Sequence, residues 1–451
     1  MYPDLRFSLL MALLMGLSSS VTAAETFELT DAGASQATVA RVVSVTGEGE
    51  FIFQGPKTSD ERPRHPVSVE AAYKFLERRL PGSGPNASEF RALRRYAEAT
   101  SRIDVGGQSV ERTLRESRQW IVARLTREGI EVHSPDGPLT ATEIEMLPTP
   151  GDNLMLAALL PKQPVGVGQD WSPDDWTAAA LAGVDVAFEK KISCQLVSVE
   201  AGQARVTFSS DVEGGVKGTT VTTNVSGEFT FDVEARRIVS ANVTHQEERA
   251  VGPLSPGMKI TLEIAMRSQP APPPSEIDDA RVAEVGEKPP TAEQLSVEHT
   301  FLWGVTLVSD RDWQLFQRTD ELLILRLLDS GGIIAQCNMI RAATVKPGTH
   351  TDEQQFQQGI HDSLGVEFEE IVKAEEILGG DKQRIYRVIA TGGAEEKPRH
   401  WRYYLVTAPD GRQVSFVFTV EPRFVDQLGD RDLELVKAVR FEEMETPTPA
   451  E

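Results

Sequence analysis

Between residues 184 and 267 apolar and polar side chains alternate with a period of two, and no other feature constrains the fold as much. Val206 and Phe208 alternate with Arg205, Thr207 and Ser209. Val225, Phe229 and Phe231 alternate with Ser226, Glu228 and Thr230, and Val239, Ala241 and Val243 with Ser240, Asn242 and Thr244. Successive side chains of a strand point to opposite faces, so each run puts apolar groups on one side and water-seeking groups on the other. Turns are expected at Glu213-Gly214-Gly215 and at Glu234-Ala235-Arg236-Arg237. The segment reads as a meander of long antiparallel strands with one wet face.

Upstream the pattern is less regular. Thr38 to Phe53 reads as strands broken by a turn at Thr46-Gly47-Glu48-Gly49, followed by a polar loop from Pro56 to Arg64. Residues 66–80 and 87–100 mix charged and apolar positions, which fits a short helix or a broken strand. Gln119–Leu125 and Ile130–His133 form an expected hairpin around Arg127-Glu128-Gly129. Leu139–Leu147 is a short helix candidate, with Thr140 as cap and Glu143 as its capping-box partner. Asn153 to Leu160 is a further short apolar segment.

Pro270, Pro272, Pro273, Pro274, Pro289 and Pro290 then interrupt the pattern. Proline removes backbone donors and stiffens the chain, so residues 269–290 read as a linker between a β-rich domain (25–268) and a second domain (291–443). In the second domain Leu322–Leu328 is apolar on both faces apart from Arg326, as suits a central strand. Thr351–Leu364 is a helix, capped by Thr351 with Gln354, striped by Phe356, Ile360 and Leu364, and ended by Gly365. Strands follow at 383–391, 400–408 and 412–420, and a last helix runs from an Asp430 cap through Lys437. The expected fold class is α+β: a curved N-terminal meander with short helices, then a C-terminal α/β/α sandwich on an antiparallel sheet.

The second domain resembles the PsbP-like family, whose fold is shared with a Ran-binding nuclear-import factor. The resemblance rests on Asp312-Trp313, on His361-Asp362-Ser363-Leu364-Gly365, and on the paired strands Trp401–Val406 and Val414–Val420. It implies a non-enzymatic docking or accessory domain. The first domain resembles exported β-rich proteins of environmental bacteria, through Val167-Gly168-Gln169-Asp170-Trp171, Phe231-Asp232 and Pro253-Leu254-Ser255-Pro256-Gly257. Its long meander also resembles the curved-sheet lipoprotein carriers of the periplasm, in architecture alone.

Arg6 followed by the apolar run Phe7–Leu17 and by Thr22-Ala23-Ala24 has the form of a secretory leader over residues 1–24. The run is too short to span a bilayer. With this leader removed, a secreted or periplasmic chain without stable membrane insertion is expected. Residues 444–451 are expected to be a disordered tail. The net charge of −22, from 68 acids against 46 bases, excludes nucleic acid as an expected partner, since a polyanion is repelled. The two cysteines, Cys194 and Cys337, lie on the apolar sides of alternating runs. They read as separate buried thiols, with an inter-domain disulfide as the alternative after export.

No catalytic, cofactor-binding or metal-binding residue can be assigned. His65, His133, His245, His299, His350, His361 and His400 include no two at the three- or four-residue spacing of a metal helix. There is no HExxH, no G-x-S-x-G elbow, no P-loop and no GxGxxG. Acid pairs such as Glu143/Glu145, Asp174/Asp175 and Glu375/Glu376 fit solvated faces of an acidic chain. His400-Trp401-Arg402-Tyr403-Tyr404 is the densest aromatic cluster. It fits either a partner-binding patch or a strand packed on both faces, and the second fits the equally apolar neighbour Val414–Val420 better. The expectation is an exported, non-enzymatic binding or accessory protein of the cell envelope, with an unknown protein or a small apolar ligand as partner. The alternatives are a hydrolase built from scattered residues and a carrier holding an apolar ligand against Val225, Phe229 and Phe231.

Overall fold

The computed structural model describes residues 25–32, 37–53, 62–81, 90–216, 218–252, 256–272, 275–287, 289–329, 332–394 and 396–442. The expected leader and tail lie outside these residues. The α+β expectation is corrected: the protein is mostly β, with 57% of the described residues in strands and 15% in helices.

Most of the first domain is one open, antiparallel, twelve-stranded sheet. Across it the order is Asp170–Trp171, Val186–Glu200, Gln203–Val216, Thr219–Asp232, Arg237–Arg249, Gly257–Pro270, Val39–Ile52, Arg64–Arg79, Arg91–Val105, Trp120–Thr126 and Gly129–His133, with Gln108–Thr113 also paired to Arg91–Val105. The meander of 184–267 is present as expected, except that Glu213-Gly214-Gly215 is strand and the turn falls after Val216. Residues 64–79 and 91–105 are long strands rather than a helix.

Val39–Ile52 is one strand, without a turn at Gly47 or Gly49. A Cβ at Gly49 would stand 2.1 Å from Lys259 O, and one at Gly47 would stand 2.3 Å from Leu262 Cδ2. The glycines are therefore needed for the close approach of neighbouring atoms within the sheet.

One face of the sheet is covered by the chain's own connection between Leu139 and Ala182. Thr140 caps the helix Ala141–Met146 through a full capping box with Glu143. Asp152 caps the helix Asn153–Ala157, every residue of which is buried. Leu154, Leu156 and Leu159 are fully buried in the same core as Val225, Phe229 and Phe231. The space that the carrier reading reserved for a ligand is thus occupied by helix side chains. On the opposite face most positions are polar and wet, but one end is covered by the chain after the sheet. There Ile277 and Val282, the latter in the helix Asp279–Glu287, pack on Leu80, Leu93 and Val122. Pro270 still pairs with Val39, so strand and helix occupy part of the segment 269–290 read as a semi-rigid linker.

The second domain holds a seven-stranded antiparallel sheet in the order Trp313–Arg318, Leu322–Asp329, Gly332–Ala342, Gln413–Val420, Lys397–Thr407, Arg384–Ala394, Phe368–Leu378. Leu322–Asp329 is second from the edge, not central. The helix Glu353–Leu364 covers one face. Its Ile360 is buried against Tyr386, Val388, Trp401 and Tyr403, with Phe356 and Leu364 packed alongside. Its cap is Asp352 rather than Thr351, whose hydroxyl instead donates to Gln413 at 2.8 Å. The other face meets the short helices Val425–Leu428 and Arg431–Lys437 and a small sheet. Strand contacts thus take the place of a full helical layer, which is why the α/β/α sandwich was an overestimate of helix.

That small sheet ties the domains together. Val439–Phe441, Val305–Ser309 and Val297–Phe301 lie side by side, and Val297 and Glu298 pair in parallel with Leu139 and Thr140 of the first domain. Arg115 joins Glu143 to Glu298, Arg281 meets Asp136 at 2.9 Å, and Arg311 donates to Val132 O at 2.8 Å.

Candidate functional site

The inner face of the large sheet, the face that carries the helices, has two ends of different character. Under the helices it holds a charged network. Arg94 is 1% exposed; its Nε donates to Glu77 and its two Nη groups to Asp152, each at 2.8 Å. Arg41 donates to Glu77 at 3.0 Å, and Asn153 Nδ2 to the same oxygen at 2.8 Å. Asp152 also accepts from Leu154 N, so the capping carboxylate fastens the helix to the sheet. Burial disfavours a charged Glu77, but Arg41, Arg94 and Arg79 outweigh it and hold its carboxyl at about 2. Val43, Tyr73, Phe75 and Tyr96 join this network around a cavity of about 10 Å³, room for about one water. The arrangement locks the helices down.

Beyond the helices the inner face becomes half-open. One row across the sheet reads Ser210, Val225, His245, Leu262, Gly47, Val69, Ile103, Val110. Leu262, Gly47, Val69 and Ile103 are half-buried, and Val110 is 52% exposed. On Arg237–Arg249 the same end turns polar: His245 Nε2 lies 3.5 Å from Glu247, which meets Arg249 at 3.1 Å. Burial opposes the charge of Glu247, and bonding to His245 together with the charge of Arg249 lowers its carboxyl nonetheless. His245 Nδ1, Ser210 Oγ and Thr223 Oγ1 have no hydrogen-bond partner among the described residues. Val225 separates Ser210 from His245 in the row, so the two do not form a nucleophile–base pair.

The residues singled out in the sequence lie elsewhere. Trp401 and Tyr403 pack under the helix Glu353–Leu364, whereas Tyr404 faces the opposite core. There Asp432, 0% exposed, accepts from Tyr404 at 2.5 Å and from Arg402 at 2.8 Å. The aromatic cluster is a strand packed on both faces. Cys194 and Cys337 are free, and each is buried in a different core. Burial pushes the Cys194 thiol up to about 12 and, with Asp432 nearby, the Cys337 thiol well above its usual range. His299 bonds Ser309 at 3.1 Å, but both are 1% exposed and sealed from substrate. Among the described residues, no three His, Cys, Asp or Glu side chains converge to hold a metal, and no helix is long and apolar enough to cross a membrane. Sequence reading missed Glu77, Arg94 and Asp152. The usable signal was charge at inward positions of otherwise apolar strands.

No protein-family model matches the chain, and no curated protein matches it. Solved structures do match. A PsbP from Synechocystis sp. PCC 6803 is 13% identical, with a TM-score of 0.28 over 38% of this chain and 99% of that one. Lipovitellin is 10% identical, with a TM-score of 0.32 over 54% of this chain and 26% of that one. DynF, of the dynemicin pathway of Micromonospora chersina, is 9% identical, with a TM-score of 0.16 over 55% of this chain and 86% of that one. At these scores none of the matches carries an argument about function.

Proposed function

We propose that this chain is an exported, secreted or periplasmic, non-enzymatic binding or accessory protein of the cell envelope. On this reading the first domain takes an apolar surface of its partner, protein or small ligand, at the half-open end of the inner face. The second domain is a PsbP-like docking domain held to it by the small sheet. The observation that carries the reading is the row Leu262, Gly47, Val69, Ile103 and Val110. It is apolar, continuous across neighbouring strands and incompletely covered, with His245, Glu247 and Arg249 along one side. Half-covered apolar surface rimmed by polar groups is characteristic of recognition sites.

The test is capture from the native envelope fraction on immobilised whole chain and on its Leu262→Asp variant, with mass spectrometry of retained proteins and lipids. A protein or lipid held by the parent chain and released by the variant supports the proposal. Identical retention on both, or none on either, contradicts it.

A further inference from the structure

We propose that the open edge of the large sheet between Asp185 and Lys191 is a self-association surface, where a second copy of this chain adds antiparallel to Val186–Glu200. The strand Asp170–Trp171 covers this edge only opposite Cys194 and Gln195, so the residues before them have a sheet neighbour on one side alone. An uncovered strand edge presents backbone donors and acceptors to another strand.

Two further features point to a copy of the same chain. First, Val186 and Phe188 are 57% and 66% exposed. The opposite face of the sheet is otherwise mainly serine, threonine, asparagine and charged side chains, such as Thr207, Ser209, Asn224, Ser226 and Thr244. The ladder shifts register at Phe188, and a Cβ on Gly215 would lie 3.6 Å from the Phe188 ring. The bulge thus places the ring over a position without a side chain.

Second, the edge is self-complementary in charge. Asp185 and Glu189 balance Lys190 and Lys191 in a chain whose net charge is −22. Two copies repel over most of their surface but not here. An antiparallel two-fold pairing about Phe188 sets Asp185 of one copy opposite Lys191 of the other, twice over. The edge strand Phe368–Leu378 of the other sheet lacks this balance: it carries Glu369, Glu370, Glu375 and Glu376 against Lys373 alone, and Glu375 and Glu376 already pair with Arg387 and Arg384 of the neighbouring strand. Two copies meeting there would repel.

Sedimentation velocity of the full mature chain over a concentration series tests the proposal. The parent chain is expected to dimerise reversibly. Phe188→Asp and the double change Lys190→Glu with Lys191→Glu are each expected to weaken the dimer about tenfold or more, whereas Val372→Asp on the other edge strand is expected to leave it unchanged. Circular dichroism confirms that the variants fold. A parent chain that is monomeric throughout overturns the proposal, as does a dimer that folded Phe188→Asp and the double variant leave intact.

Discussion

In the large sheet Arg41, Glu77, Arg94 and Asp152 lie in the dry interior and answer one another, while the opposite face is largely wet. In the seven-stranded sheet both faces are covered and the interior is aromatic: Phe416, Phe418 and Tyr404 on one side, Trp401 and Tyr403 on the other. Its buried carboxylate, Asp432, is answered within one corner by Arg402 and Tyr404. The difference follows from what covers each sheet. The large sheet is closed by helices of only five to eight residues, and the charged network fastens one of them to the sheet through Asp152. The smaller sheet is closed by an amphipathic helix of 12 residues, which packs on it through Ile360, Phe356 and Leu364, and by further strands on the other face.

The sharpest test of this contrast exchanges the two kinds of loss. Glu77→Leu leaves Arg41 and Arg94 buried without their shared carboxylate, and should cost about 3–5 kcal/mol. Phe416→Ala should cost a similar ~3–5 kcal/mol in the other sheet through its cavity, while Asp432→Asn there should cost only about 1.5–3 kcal/mol. Urea denaturation of the three variants measures this. If Asp432→Asn is as damaging as Glu77→Leu, the contrast between the sheets is lost.

Acid should separate the regions next. Burial, then the charge of Arg311, holds His133 neutral down to about 4, and burial does the same for His299, against an ordinary value of 6.5. The unfolded chain therefore takes up these protons first, and stability is lost as pH falls from about 6.5 to 4. Glu77, held at about 2 against 4.5, contributes stability that is lost only between about pH 4.5 and 2. Residues near the junction of the domains should thus loosen before the charged network. Hydrogen exchange across a pH series reads the order, and a network that opens first would refute it.

The smallest effects concern glycine. Gly49→Ala drives a Cβ to 2.1 Å from Lys259 O, and should cost about 1–3 kcal/mol as the strands shift. Gly359→Ala, on the exposed side of the helix Glu353–Leu364 with nothing within 4 Å, should instead stabilise by about 0.5–1 kcal/mol. Thermal denaturation of both tests whether the glycines of sheet and helix differ in sign.

These contrasts also explain how far the sequence could be read. The alternation of 203–243, the Thr140–Glu143 capping box and the stripe Phe356, Ile360, Leu364 are local patterns, and the structure contains each of them. In the strand Arg64–Arg79 the inward positions run Tyr73, Phe75, Glu77, Arg79, so buried charge breaks the apolar alternation that would have revealed it. Gly47 and Gly49 resemble a turn signal because close approach of neighbouring strands and a turn call for the same residue. The network itself joins Arg94 to Asp152 across 58 positions and Arg41 to Glu77 across 36. The half-open row draws on strands from both ends of the first domain, and no local pattern encodes it.

The inner face of the large sheet is sealed under its helices and half-open beyond them, and the proposed function places an apolar partner at that half-open end. Titration of the native chain at neutral pH with an anilinonaphthalene sulfonate dye tests this placement. The expected result is saturable binding that Leu262→Asp abolishes and that Val372→Asp, on the other sheet, leaves intact. No binding to the native chain, or binding indifferent to Leu262→Asp, would contradict it.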